Sequence, residues 1–151
     1  MDKEDWCLLL FLLLSHHRLE KLHRTIHISF RGRNVYLCAR CTGAYSGILS
    51  IFVACFLGFD FPTWLYPPLF SVLPIPAAVD FITQSCKLRE SRNTIRVCTG
   101  YILGIGEGLF LLMLVRGMFH LIPYALAIFG AYIFSIYVIA RKTKFLDSYF
   151  D

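Results

Sequence analysis

Apolar positions along this chain gather into blocks separated by short polar stretches. Residues 6–14 (Trp6 to Leu14) are apolar but fall short of the roughly 20 residues that a helix needs to cross about 30 Å of hydrocarbon. They predict an N-terminal interfacial helix. Residues 15–40 are basic and histidine-rich, and four longer apolar blocks follow at about 41–58, 63–82, 97–115 and 118–140. The pattern predicts an all-α integral membrane protein with four transmembrane helices plus the N-terminal interfacial helix. It reads as a single membrane domain over 1–151, with a face segment (1–40), a helical bundle (41–140) and a tail (141–151).

Each block carries its own mark. Gly43 and Gly47 in the first, and Gly100, Gly104 and Gly108 in the third, recur every four residues. Such small-residue faces let two helices approach closely. They predict tight packing of spans one and three and also offer a seam for homo-oligomer contact. The second block holds Pro67, Pro68, Pro74 and Pro76, which predict a helix that is kinked or in two pieces. Arg31-Gly32-Arg33-Asn34 reads as a turn. Glu107 lies near the middle of the third block. An ionisable residue at that depth is a functional candidate by default, the simpler reading being a neutral carboxyl bonded to a neighbouring Ser or Tyr. His120, near the start of the fourth block, reads as interfacial.

Composition agrees: 57% hydrophobic against 17% charged residues in 151 is more apolar surface than a soluble domain of this size can bury. The net charge of +5 raises nucleic acid as a partner, but its distribution points to topology. The segment 15–40, the loop 83–96 and the tail hold thirteen Lys and Arg residues, against Arg116 alone in the two intervening links. By the positive-inside rule this predicts a multi-pass cell-membrane protein with both termini cytoplasmic, and no nucleic-acid partner. The acidic start, Met1-Asp2-Lys3-Glu4-Asp5, does not resemble a signal peptide. Of six cysteines, Cys7, Cys55 and Cys98 lie within apolar runs and read as small hydrophobes.

The polar groups with chemistry then fall on one membrane face. Cys38 and Cys41 have the two-residue gap that lets two sulfurs face one metal ion or one another. His16, His17, His23 and His27 lie upstream, and His23 and His27 have the spacing of two ligands on one helix face. A mixed Cys/His set suits zinc or iron; the simpler readings are packing cysteines and a headgroup-contacting basic stretch. Asp80 and Gln84 share one helix side, as do Glu90, Asn93 and Arg96 if that stretch is helical. The carboxylates Asp80 and Glu90, with Arg96, are candidates for catalysis. Arg40, Gln84 and Asn93 are candidates for binding an anionic group such as a lipid phosphate. The alternative is an ion-pair network that ties helices together.

Three motifs also carry a resemblance: Cys38-Ala39-Arg40-Cys41-Thr42-Gly43 with Tyr45 and Gly47; Asp80, Thr83 and Gln84; and Glu90-Ser91-x-Asn93-x-x-Arg96-x-x-Thr99-Gly100. In order and spacing, over about residues 15–104, they resemble an uncharacterised family of small prokaryotic polytopic membrane proteins, a domain of unknown function. Phe81 stands where that family usually has Gly, and Leu22 where a Cys often precedes the histidine matched by His23. The second departure removes a further thiol. The resemblance implies a membrane fold and a place for a site, and it supplies no activity.

The leading expectation is a membrane-embedded metalloprotein, read as an enzyme, acting at the cytoplasmic face on an anionic lipid, a lipid-linked substrate or a small anion. Two alternatives stay open: a small transporter or assembly protein with a structural metal site, and a membrane dithiol oxidoreductase.

Overall fold

The computed structural model describes residues 25–30 and 33–143. Strand β1 (Thr25–Phe30) pairs antiparallel with β2 (Arg33–Cys38) in register Thr25↔Cys38 and Phe30↔Arg33. Helix α1 (Ala39–Phe56) follows directly. A 3₁₀ turn (Thr63–Leu65) leads into α2 (Tyr66–Val72), and α3 (Ile75–Ser85) completes that crossing. Helix α4 (Asn93–Val115), a second 3₁₀ turn (Phe119–Leu121) and α5 (Ile122–Lys142) close the bundle. Among the described residues four stretches are long and apolar enough to span a bilayer: Ala39–Phe56, Thr63–Ser85, Asn93–Val115 and Phe119–Lys142. The helical membrane fold is as expected; the interfacial helix expected over 6–14 lies outside the described residues.

The hairpin differs from the expectation. Thr25, His27 and Ser29 alternate with Ile26, Ile28 and Phe30, the period of two that marks a strand. His27 therefore sits on β1 opposite Tyr36, with ring centroids 5.0 Å apart, and the helical spacing proposed for His23 and His27 does not hold at His27. The broken second span follows from where its prolines fall. Pro67 and Pro68 occupy the start of α2 and Pro76 the start of α3, positions where the missing N–H has no helical partner to lose. Leu73, at the break, packs on Gly106 of α4, its Cβ 3.5 Å from where a side chain would begin.

Helices α1 and α4 form the main seam. Gly43 faces Val97 and Tyr101, and Gly47 faces Tyr101, Gly104 and Ile105. From the other side Gly100 meets Arg40, Gly104 meets Ala44, and Gly108 meets Ile48 and Ile51. Both sets of numbers rise together, so the two helices run parallel. These glycine faces pack against one another within one chain. Away from β1 and β2, Tyr66, Phe70, Leu109, Leu112, Met113, Ala125 and Ile51 form the apolar core. Phe70 meets Phe110 and Phe129 at centroid distances of 6.4 and 6.0 Å. Helix α5 packs outermost, held to α2 where Tyr132 Oη donates to Ser71 O at 2.6 Å. Beyond the core, Asp60 pairs with Arg116 and raises its pKa further, pinning the α1–α2 link to the α4–α5 link.

Candidate functional site

Asp80, in the middle of α3, is 1% exposed and collects donors from three segments. Gln84, one helical turn on, donates from Nε2 to Asp80 Oδ2 at 2.8 Å. Arg89, in the loop after α3, donates from Nη2 to Oδ1 at 2.9 Å. Arg40, the second residue of α1, donates from Nη2 to Oδ2. In turn Gln84 Oε1 accepts from Arg96 Nη2 of α4 at 3.0 Å. A buried carboxylate is costly unless paired, and here the paired groups lock α1, α3 and α4 together.

The motif residues thus acquire separate tasks. Thr83 Oγ1 accepts from Arg89 Nε at 3.2 Å and so helps aim that guanidinium. Asn93 Nδ2 donates to Thr25 O at 3.2 Å, anchoring the hairpin to the start of α4. Helix α4 begins at Asn93, so Glu90 precedes it; the expectation that Glu90, Asn93 and Arg96 share one helical side holds only for Asn93 and Arg96. Phe81 lies under the Arg40 guanidinium, 6.0 Å from ring centroid to Cζ, a cation–π arrangement available because this chain has Phe at that position.

An open cleft of about 230 Å³ lies beside the cluster, lined by Gln84, Lys87, Arg89 and Glu90. Lys87 reaches it through an uncommon backbone. Three helices end in the same way. Gly58 N–H bonds to Cys55 O and Phe59 N–H to Ala54 O after α1, and Gly117 N–H to Leu114 O and Met118 N–H to Met113 O after α4. After α3, Lys87 N–H bonds to Gln84 O and Leu88 N–H to Thr83 O. The motif needs a left-handed residue, normally glycine, and φ is +90° at Gly58 and +70° at Gly117. At Lys87 φ is +54°, which costs a residue bearing Cβ about 1 kcal/mol. The one lysine in this role lines the cleft. Arg40, Lys87, Arg89 and Arg96 stand against Asp80 and Glu90 at this face, an excess of positive charge.

Cys38 closes β2 and is buried, whereas Cys41 in the first turn of α1 is half-exposed. The Cys41 thiol lies within hydrogen-bonding reach of Cys38, and Glu107 of α4 is close enough to Cys41 to interact electrostatically. Neither cysteine is in a disulfide. Among the described residues no group of three or more His, Cys, Asp and Glu side chains is arranged to hold a metal ion. His16, His17 and His23 lie outside the described residues, and His27 is exposed on the hairpin.

Arg89 and Lys87 are the residues that sequence reasoning missed. Their signal was present only as basic residues in a polar loop, where charge also encodes orientation. The local rule that would have found Lys87 is the absence of glycine or asparagine after a helix end.

Comparison with known proteins agrees with the membrane architecture. Residues 20–111 match the family described as predicted membrane protein (DUF2085). An uncharacterized protein of Methanothermobacter thermautotrophicus is 39% identical over 94 residues, covering 62% of this chain and 81% of that one. An uncharacterized protein of Methanocaldococcus jannaschii is 38% identical over 78 residues, covering 48% of each chain. No solved structure matches. With its spans and this match in agreement, the chain belongs to the DUF2085 family of predicted membrane proteins.

Proposed function

We propose that the face carrying Asp80 is cytoplasmic and that its cluster binds a phosphate-type anion borne by a membrane lipid or lipid-linked substrate. The observation that carries this reading is Lys87, a cation held in strained backbone at the rim of a cleft beside Arg89. Strain at one residue marks a candidate functional position. Asp80 then acts as an organiser, because Arg40, Arg89 and Gln84 already engage both its oxygens. Glu90, which lines the cleft, is the carboxylate suited to proton transfer if the bound group reacts. The distribution of Lys and Arg supports the orientation; a cysteine introduced at Lys142 should be labelled by impermeant maleimide only after the cytoplasmic side is opened.

Binding is tested by thermal unfolding in detergent with inorganic phosphate, pyrophosphate or short-chain phosphatidic acid, and with chloride and phosphatidylcholine as controls. A ligand at 100 times its Kd stabilises by about 2.7 kcal/mol, so Tm should rise by several degrees. Lys87→Gly should raise the ligand-free Tm by relieving about 1 kcal/mol of strain while shrinking the ligand-induced rise. An undiminished rise in Lys87→Gly would end this reading. Response to phosphatidic acid alone identifies a lipid headgroup; equal response to phosphate identifies a free anion.

The mutual reach of Cys38 and Cys41 supports a second reading, in which they hold zinc or iron with histidines drawn from His16, His17, His23 and His27. It requires about one metal ion per purified chain, lost in Cys38→Ser.

A further inference from the structure

We propose that Cys38 and Cys41 form a reversible dithiol/disulfide couple that exchanges with disulfide-bearing partners at the membrane face. It stands independently of the anion site, since it uses no residue of the cleft. A disulfide needs only these two sulfurs, already within hydrogen-bonding reach of one another. Cys38 is the N-cap residue of α1 and Cys41 its third residue, so the pair sits across a single turn of chain, the kind of spacing at which two thiols can face one another. Closing it requires no long-range movement.

The two sulfurs differ in access, and that sets their order. Cys41 is half-exposed and Cys38 only 8% exposed. The Cys41 sulfur attacks one sulfur of the partner disulfide, forming a mixed disulfide. The displaced partner sulfur leaves as a thiol carrying the proton that Cys41 gave up. The Cys38 sulfur then attacks the Cys41 sulfur, forming the Cys38–Cys41 bond. The second partner thiol departs with the proton from Cys38. The chain loses two electrons and two protons, and the partner disulfide gains both. Thr42 Oγ1 donates to the Cys38 carbonyl at 3.0 Å, a bond across the turn carrying both thiols that exchange leaves intact.

The test uses the full chain with Cys7, Cys55, Cys86 and Cys98 replaced by serine, equilibrated in detergent with mixtures of glutathione and glutathione disulfide. Samples are acid-quenched and the free thiols counted by maleimide gel shift. Both thiols should disappear together, following a two-electron curve of about 30 mV per tenfold change. In Cys38→Ser, intact mass should show one glutathione adduct on Cys41, formed at least tenfold faster than on Cys38 in Cys41→Ser. The unsubstituted pair's curve needs neither single variant and stands even if one fails to fold. Independent loss of the thiols, faster adduct formation at Cys38, or resistance to oxidation with about one zinc or iron bound per chain would each overturn the proposal.

Discussion

Asp80→Ala should destabilise the protein by about 3 kcal/mol, measured by SDS titration or thermal melting in mild detergent. Removing one member of a buried ion pair costs roughly 3–5 kcal/mol because the remaining charge is left without its partner. The lower end applies because Arg40 and Arg89 side chains are 27% and 38% exposed and reach water in part. The loss should be cooperative in structure. Asp80 joins α1 through Arg40 and the post-α3 loop through Arg89, while Gln84 joins α4 through Arg96. Arg40→Met on the Asp80→Ala background should recover part of the loss, since it removes the stranded guanidinium. A simple sum of the two single losses would show that the pair is not coupled. Arg89→Gln alone should cost less, about 1 kcal/mol.

Gly104→Ala should be as damaging as its chemistry is small. A Cβ at Gly104 would fall 2.7 Å from the Ala44 carbonyl carbon, against backbone that cannot turn aside. Overpacking of this kind costs about 1–3 kcal/mol, and Gly104→Leu should leave no stable bundle. Gly130→Ala is the matched control. It lies in α5 with open space where its Cβ would go, and alanine there should be neutral or stabilising by about 0.5–1 kcal/mol. The same substitution in two helices of one protein thus separates close packing from helix propensity. Equal Tm values for the two variants would remove the α1–α4 seam as a source of stability.

The spans and their pairing were legible because the bilayer enforces length and because glycine repeats leave one explanation, close backbone approach. The pairing of Asp80 with Gln84 was legible for the same reason: a helix puts residues four apart on one side. The hairpin was not read, although Thr25 to Phe30 alternate polar and apolar, because the histidines drew a helical interpretation onto the segment. Arg40, Arg89 and Asp80 converge across residues 40, 80 and 89, and no local pattern encodes which arginine reaches which carboxylate. Phe81 is instructive in another way. In the sequence it signalled only a difference from the motif it resembles, and its place beneath Arg40 depends on how α1 and α3 pack.

The parallel course of α1 and α4 bears on the order in which the chain is made. Gly43 and Gly47 leave the ribosome well before Gly100, Gly104 and Gly108, and the broken crossing of α2 and α3 must traverse the bilayer between them. Until α4 emerges, the glycine groove of α1 faces lipid with nothing to fill it. The seam is thus a late checkpoint of biogenesis: it closes only when synthesis has passed Gly108.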